Sequence, residues 1–299
     1  PRSTLDRSSA ASDVYKRQVF ATDVDGDGDM DVLSASEYDD KIAWYEQEGS
    51  PVFEPQTKEE LQTAVDLWVD DNASALTTYG EINTWDVSLI TDMSELFQDK
   101  LNFNSDISSW DVSNVTSLDE MFQSAVSFNQ DLSEWDVSNA IIISGLFRFA
   151  SAFNGVISTW NVSTVSDMWH LFEGASSFEG NLSNWNVSSV QNMDAMFQNT
   201  PFNGSIGSWD VSNVTDMYQI FEGASSFNQD ISSWDVSSAT NMQQMFAITD
   251  AFNQDIGLWD VSAVTDMSYM FVDAPVFNQD LSEWCVSNIF SIPTDFDLN

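Results

Sequence analysis

The chain has 299 residues, 48 of them acidic and eight basic, for a net charge of −40 at pH 7. So acidic a balance excludes nucleic acid as a partner and repels anionic lipid, while favouring basic proteins, divalent cations or plain solubility. One cysteine, Cys285, and one histidine, His170, leave no ligand set for a zinc cluster and no Cys/His nucleophile, and no apolar run is long enough to span a membrane.

Residues 1–18 hold four of the eight bases and show no apolar period. Lacking an initiator Met and the apolar core of a signal peptide, they read as a non-native or disordered leader on an internal fragment. Residues 19–53 carry Asp23-Val-Asp-Gly-Asp-Gly-Asp-Met-Asp31 and then Lys41-Ile-Ala-Trp-Tyr45. Alternate aspartates separated by glycine wrap hard carboxylate oxygens around one cation, glycine permitting the tight turns. An EF-hand is a poor match, because counting from Asp23 puts Ser34 where a bidentate Glu is needed. The stretch instead resembles one FG-GAP or VCBS-type propeller repeat. That resemblance implies calcium, held by Asp23, Asp25, Asp27 and Asp31 with Asp29 as a further ligand; the alternative is a solvated acidic turn. A propeller needs several blades, so this is a partial repeat.

Residues 54–80 bring a proline-bounded shift in composition, marked by Pro51 and Pro55. Leu61, Ala64, Val65 and Trp68 share one helical face, and Thr57 with Glu60 forms a capping box. A helix is predicted here, closing the apolar end of residues 81–299.

Residues 81–299 form a repeat. Trp85, Trp110, Trp135, Trp160, Trp185, Trp209, Trp234, Trp259 and Trp284 are spaced by 25 residues, with one interval of 24. A fixed period of this size marks stacked units that share a continuous interior. In the second unit Trp110-Asp-Val-Ser alternates apolar and polar as a half-buried strand does, whereas Val115, Leu118, Met121 and Phe122 recur at helical spacing. Thr91, Thr116, Ser166, Thr215 and Thr265 stand where such helices would be N-capped. The expected fold is therefore an α/β repeat, nine strand-plus-short-helix units of about 25 residues. The Asn after each Phe (Asn104, Asn129, Asn154, Asn203, Asn228, Asn253, Asn278) is expected to form a ladder, broken at Glu179. The 24-residue interval falls at Thr200-Pro-Phe202, and the deletion is placed in a turn.

The recurring Phe-Asn-x-Asp-Ile/Leu-Ser-x-Trp-Asp-Val-Ser-Asn-Val-Thr-Asp-Met-x-x-Met-Phe pattern resembles the DUF285 or BspA-like leucine-rich-repeat surface protein family over roughly residues 57–299. The resemblance implies a leucine-rich-repeat-like solenoid over 81–299, a secreted or cell-surface bacterial setting, and adhesion or protein binding without catalytic residues. Ser291-Ile-Pro-Thr-Asp-Phe296 resembles that family's closing cap, truncated here. In such endings Cys285 would face a second cysteine further on.

Identical polar residues in every unit argue against an enzyme, since a catalytic site needs unlike groups converging on one pocket. The reading is a monomeric interaction module whose partner is an extracellular protein or glycan, its specificity set by variable positions such as Ser94-Glu95, Asp119-Glu120 and Tyr218-Gln219. A carbohydrate-binding surface module, which needs exposed aromatics in a row, and a mechanical spacer of a larger surface protein are the alternatives. Departures such as Ile141-Ile-Ile-Ser-Gly145 and Trp169-His170 suggest no site.

Overall fold

A computed structural model describes residues 16–22, 31–36, 42–45, 52–290 and 292–296. The chain divides into two compact units, residues 1–52 and 53–299. In the first, β1 (Lys16–Thr22), β2 (Asp31–Ser36) and β3 (Ile42–Tyr45) form an antiparallel sheet in the order β1-β2-β3. β1 takes in Lys16, Arg17 and Gln18 from the segment read as a leader, pairing Lys16 with Ser36 and Thr22 with Asp31. Of the expected calcium ligands, Asp31 opens β2; Asp23, Asp25, Asp27 and Asp29 lie outside the described residues.

The second unit opens with two helices where one was predicted: α1 (Lys58–Asp70) and α2 (Asn72–Tyr79). Half of the capping box is present: Thr57 Oγ1 accepts the Glu60 N–H, while the Glu60 carboxylate reaches one residue before the cap and accepts the Gln56 N–H. Asp71 makes the break. It ends α1 and caps α2, its carboxylate accepting the Ser74 N–H, as expected of a short acidic side chain that prefers caps to helix interiors. Leu61, Ala64, Val65 and Trp68 are buried, and the polar side of α1 meets the first repeat. Gln62 Nε2 donates to the Leu96 carbonyl, Lys58 reaches Asp92 and Ser94, and Trp68 Nε1 donates to Ser105. One edge carbonyl that would otherwise template further pairing, that of Leu96, is thereby covered.

From Trp85 onward the strand-plus-short-helix unit is not what the described residues show. Burial alternates through Trp110, Asp111, Val112 and Ser113 as expected, yet these residues make turns, with the Val115 N–H bound to the Val112 carbonyl. Nor is Leu118–Ala125 a helix. Its backbone runs as overlapping turns in which the N–H groups of Met121, Gln123 and Ala125 bond the carbonyls three residues back, while those of Leu118, Glu120, Phe122 and Ser124 bond Ile142, Ser144, Leu146 and Arg148 of the next unit. These ribbon N–H groups thus alternate between a local partner and a neighbouring unit. The spacing misled because buried residues three and four apart suit either geometry. What decides is φ, which is left-handed at Glu120 and Ser124 (50° and 58°), incompatible with an α-helix of L-residues.

Equivalent ribbons stack in register, with parallel bridges running Asp92, Ser117, Ile142, Asp167, Asn192, Asp216, Asn241, Asp266. The threonines read as N-caps instead link units, Thr116 and Thr265 donating their hydroxyls to the Thr91 and Thr240 carbonyls. Phenylalanines stack along the interior: Phe122, Phe147 and Phe172 have centroids 5.7 and 5.8 Å apart. Where a residue is missing, Phe202 still lies 6.0 Å from Phe178, and its N–H turns to the Thr200 hydroxyl in place of the Ala carbonyl used by Phe178. The deletion therefore sits in a turn, as expected.

Candidate functional site

Most of the repeated polar residues are consumed in building the stack. Asp86, Asp111, Asp136, Asn161, Asn186, Asp210, Asp235 and Asp260 each accept the N–H two residues on, closing a turn with the side chain. Hydrogen bonds from the paired serines hold the carboxyls of Asp86, Asp136, Asp210 and Asp260 below the ordinary carboxylate range. The asparagine ladder is present too: Asn129 donates its N–H to Asn104 Oδ1, Asn154 to Asn129, Asn228 to Asn203 and Asn253 to Asn228. Glu179 donates its N–H to Asn154 Oδ1, the last rung before the ladder resumes with the Asn228 N–H on Asn203 Oδ1. The eight periodic tryptophans from Trp85 to Trp259 are 2–4% exposed, whereas Trp169, off the period, is only half-buried. Indole Nε1 groups bond carbonyls of the preceding unit, as in Trp135 to Ile107 (3.1 Å) and Trp160 to Leu132 (2.9 Å).

What remains facing outward is the turn ribbon, where positions two, three, six and seven beyond each bridge residue line up from unit to unit. Here the structure brings together residues that the sequence scattered. Arg148, the sole arginine of the second compact unit, lays its guanidinium 4.9 Å from the centroid of Phe149 and 5.6 Å from that of Trp169, and its Nε is 2.6 Å from Glu173 Oε2. The same carboxylate oxygen lies 2.5 Å from His170 Nδ1. Trp169 Nε1 donates to Asp194 Oδ2 at 3.1 Å, leaving Asp194 Oδ1 buried without a partner.

Burial raises the Glu173 carboxyl, but His170 and Arg148 outweigh it and hold the group below its usual range. Asp194 goes the other way: burial, with a smaller push from Asp216, raises it from 3.8 to about 6 against the pull of His170. Burial also raises Asp119, helped by Glu120 and Glu95, and raises Glu222. The native state therefore binds more protons than the unfolded chain at Asp194 between pH 3.8 and about 6, so this residue lowers stability as pH rises through that window. Asp194→Asn is expected to stabilise the protein at pH 7.5 by about 1–1.5 kcal/mol, the roughly 3 kcal/mol of linkage being cut by solvent screening at a half-buried site. Urea midpoints should show the gain shrinking toward zero by about pH 4.

Sequence reasoning set Trp169-His170 and Ile141–Gly145 aside as isolated departures. The signal was the period itself: offsets of 25 place Arg148, Glu173 and Gln198 in one column and Trp169 beside Asp194. Among the described residues no group of His, Cys, Asp and Glu side chains is arranged to hold a metal, and no helix is long and apolar enough to cross a membrane. A further hollow of about 600 Å³ lies between Met267, Trp284, Ile289, Ile292 and Phe296 at the last unit, where Cys285 is exposed as a free thiol.

The turn repeat is matched by the family model described as "Mycoplasma protein of unknown function, DUF285", over residues 69–168, 135–212 and 198–297. The chain belongs to the DUF285 family. An FG-GAP-like repeat model matches residues 23–77, so in this DUF285 chain the FG-GAP match runs beyond the first compact unit into α1 and α2. Neither the curated proteins nor the solved structures compared with it gave a match. The Arg148–Asp194 cluster lies within the second DUF285 match.

Proposed function

We propose that this DUF285 chain is a non-catalytic, secreted or cell-surface bacterial protein, a leucine-rich-repeat-like solenoid that binds protein partners through the outward face of its turn ribbons. One observation carries the reading: the repeated side chains bond their own turns and neighbouring units, and the cluster of unlike charged and aromatic groups around Arg148 lies on that face. Catalysis is disfavoured because the acids recur in equivalent turns, each holding its own backbone, and in the one cluster of unlike groups Glu173 is engaged by Arg148. A glycan platform would need a row of exposed rings, and the Trp rows are 2–4% exposed, which supports a protein partner over a carbohydrate. The chain acts as a monomer. In the FG-GAP-like repeat, Asp23, Asp25, Asp27, Asp29 and Asp31 would supply the hard oxygens that suit calcium.

The test is binding of the purified chain to arrayed extracellular proteins and glycans at physiological salt, with and without calcium. Saturable binding to a protein is expected. Binding to glycans alone would move the assignment to a carbohydrate-binding module, and binding to nothing would move it to a spacer.

A further inference from the structure

Equivalent positions along the stack serve as controls for one another, so a residue that breaks the pattern without helping the stack stands out. Phe149 and Ile248 both hold a left-handed φ of 56°. The rest of that column is Asp99, Ser124, Gly174, Asn199, Gly223 and Asp273, smaller side chains less hindered in that conformation. A bulky or β-branched side chain there strains the backbone. Core packing does not offset the strain, since the two are 41% and 48% exposed.

Around Phe149 the other departures collect. Its ring covers Gly174, where a Cβ would come within 2.4 Å of it, and Arg148 bridges it to Trp169. On the same unit Ile141 and Ile142, 51% and 43% exposed, replace the Thr116-Ser117 and Ser166-Asp167 of flanking units. Ile248 has less such company: Ala247 precedes it where Arg148 precedes Phe149, and the following unit carries Ser268 and Tyr269 where Trp169 and His170 stand beside Phe149.

We propose that the Phe149–Trp169 patch is the docking surface for a basic segment of a partner protein. The proposal rests on the protein-binding reading above and adds the place and the partner's chemistry. Charge complementarity sets that chemistry: Asp167 accepts the Trp169 N–H, Asp194 accepts the Trp169 indole N–H and Glu120 lies against Gly145 beside Arg148, on a chain of net charge −40, and Arg148 within the patch is already paired with Glu173. Aromatic and arginine anchors at the centre of a charged rim are the make-up of an interface hot spot. Apolar side chains of the partner meet Phe149, Trp169 and Ile142, while its Lys and Arg meet the rim, so association is steered and sensitive to salt.

Random peptides displayed on phage are selected on the immobilised full-length chain, and the recovered peptides are titrated against wild type, Phe149→Asn, Trp169→Ala and Ile248→Asn. Asparagine accepts left-handed φ, so both Asn variants should unfold at equal or higher urea than wild type, separating lost contact from lost fold. Recovered peptides should be basic with apolar residues among the charges. Their Kd should rise about tenfold or more in Phe149→Asn and Trp169→Ala and with added salt, and stay within about twofold in Ile248→Asn. Basic peptides whose affinity ignores Phe149→Asn overturn this surface and leave the protein-binding reading standing. Neutral or acidic peptides overturn the partner chemistry, and no enrichment over blank support overturns both.

Discussion

Deleting Gln123 is expected to cost about 5 kcal/mol or more and to abolish a single cooperative unfolding transition, because the backbone bonds of the ribbon are assigned by parity. Phe122 and Ser124 donate to the following unit, while Met121 and Gln123 accept from Phe97 and Asp99 of the preceding one. Losing one residue turns donors that face outward along the stack back into their own turn, on both sides of the lesion. Each buried group left unpaired costs about 1–3 kcal/mol. The turn after the ribbon behaves differently. Thr200-Pro201-Phe202 is already one residue short, its Phe N–H satisfied by the Thr200 hydroxyl. Transplanting that solution, Ala175→Thr with deletion of Ser176, should cost less than about 1.5 kcal/mol. Urea titration by circular dichroism compares the two deletions, and equal losses would contradict the parity argument.

Phe172→Ala is expected to cost about 3–5 kcal/mol. The ring is fully buried, 5.8 Å from both Phe147 and Phe197, 4.0 Å from Phe178 and 6.2 Å from Trp185. Truncation therefore loosens the interfaces with both neighbouring units. Phe277, half-buried in the last unit and stacked on Phe271 and Phe252, should cost only about 1–2 kcal/mol when truncated, since stability in a repeat array is a sum over nearest neighbours. A Phe277→Ala loss as large as that of Phe172→Ala would show that the stack is not additive in this way.

The interior was legible in the sequence because burial depends on side-chain spacing. Trp110, Val112, Val115, Leu118, Met121 and Phe122 are all buried, and the asparagine rungs and the shortened turn stand where the period puts them. Secondary structure was not legible. Buried residues at three- and four-residue intervals suit a helix, but Glu120, His170 and Gln219 sit at left-handed φ, and nothing in a Glu, His or Gln announces that. The split of the leading helix at Asp71 was visible only as a residue type that also occurs within helices. The Arg148–Glu173–His170–Trp169–Asp194 cluster was hidden for another reason: its members are 21 to 46 residues apart counting from Arg148, and only a fixed stacking register makes them neighbours.

Hydrogen exchange measured residue by residue tests the central claim, that turns bonded from unit to unit are as firmly held as a regular sheet. The amides of Phe122, Phe147, Phe172 and Phe197, which bond Leu146, Leu171, Met196 and Ile220, should exchange only through global unfolding. Exchange at those amides as fast as in solvated turns would mean that the units do not share their backbone bonds.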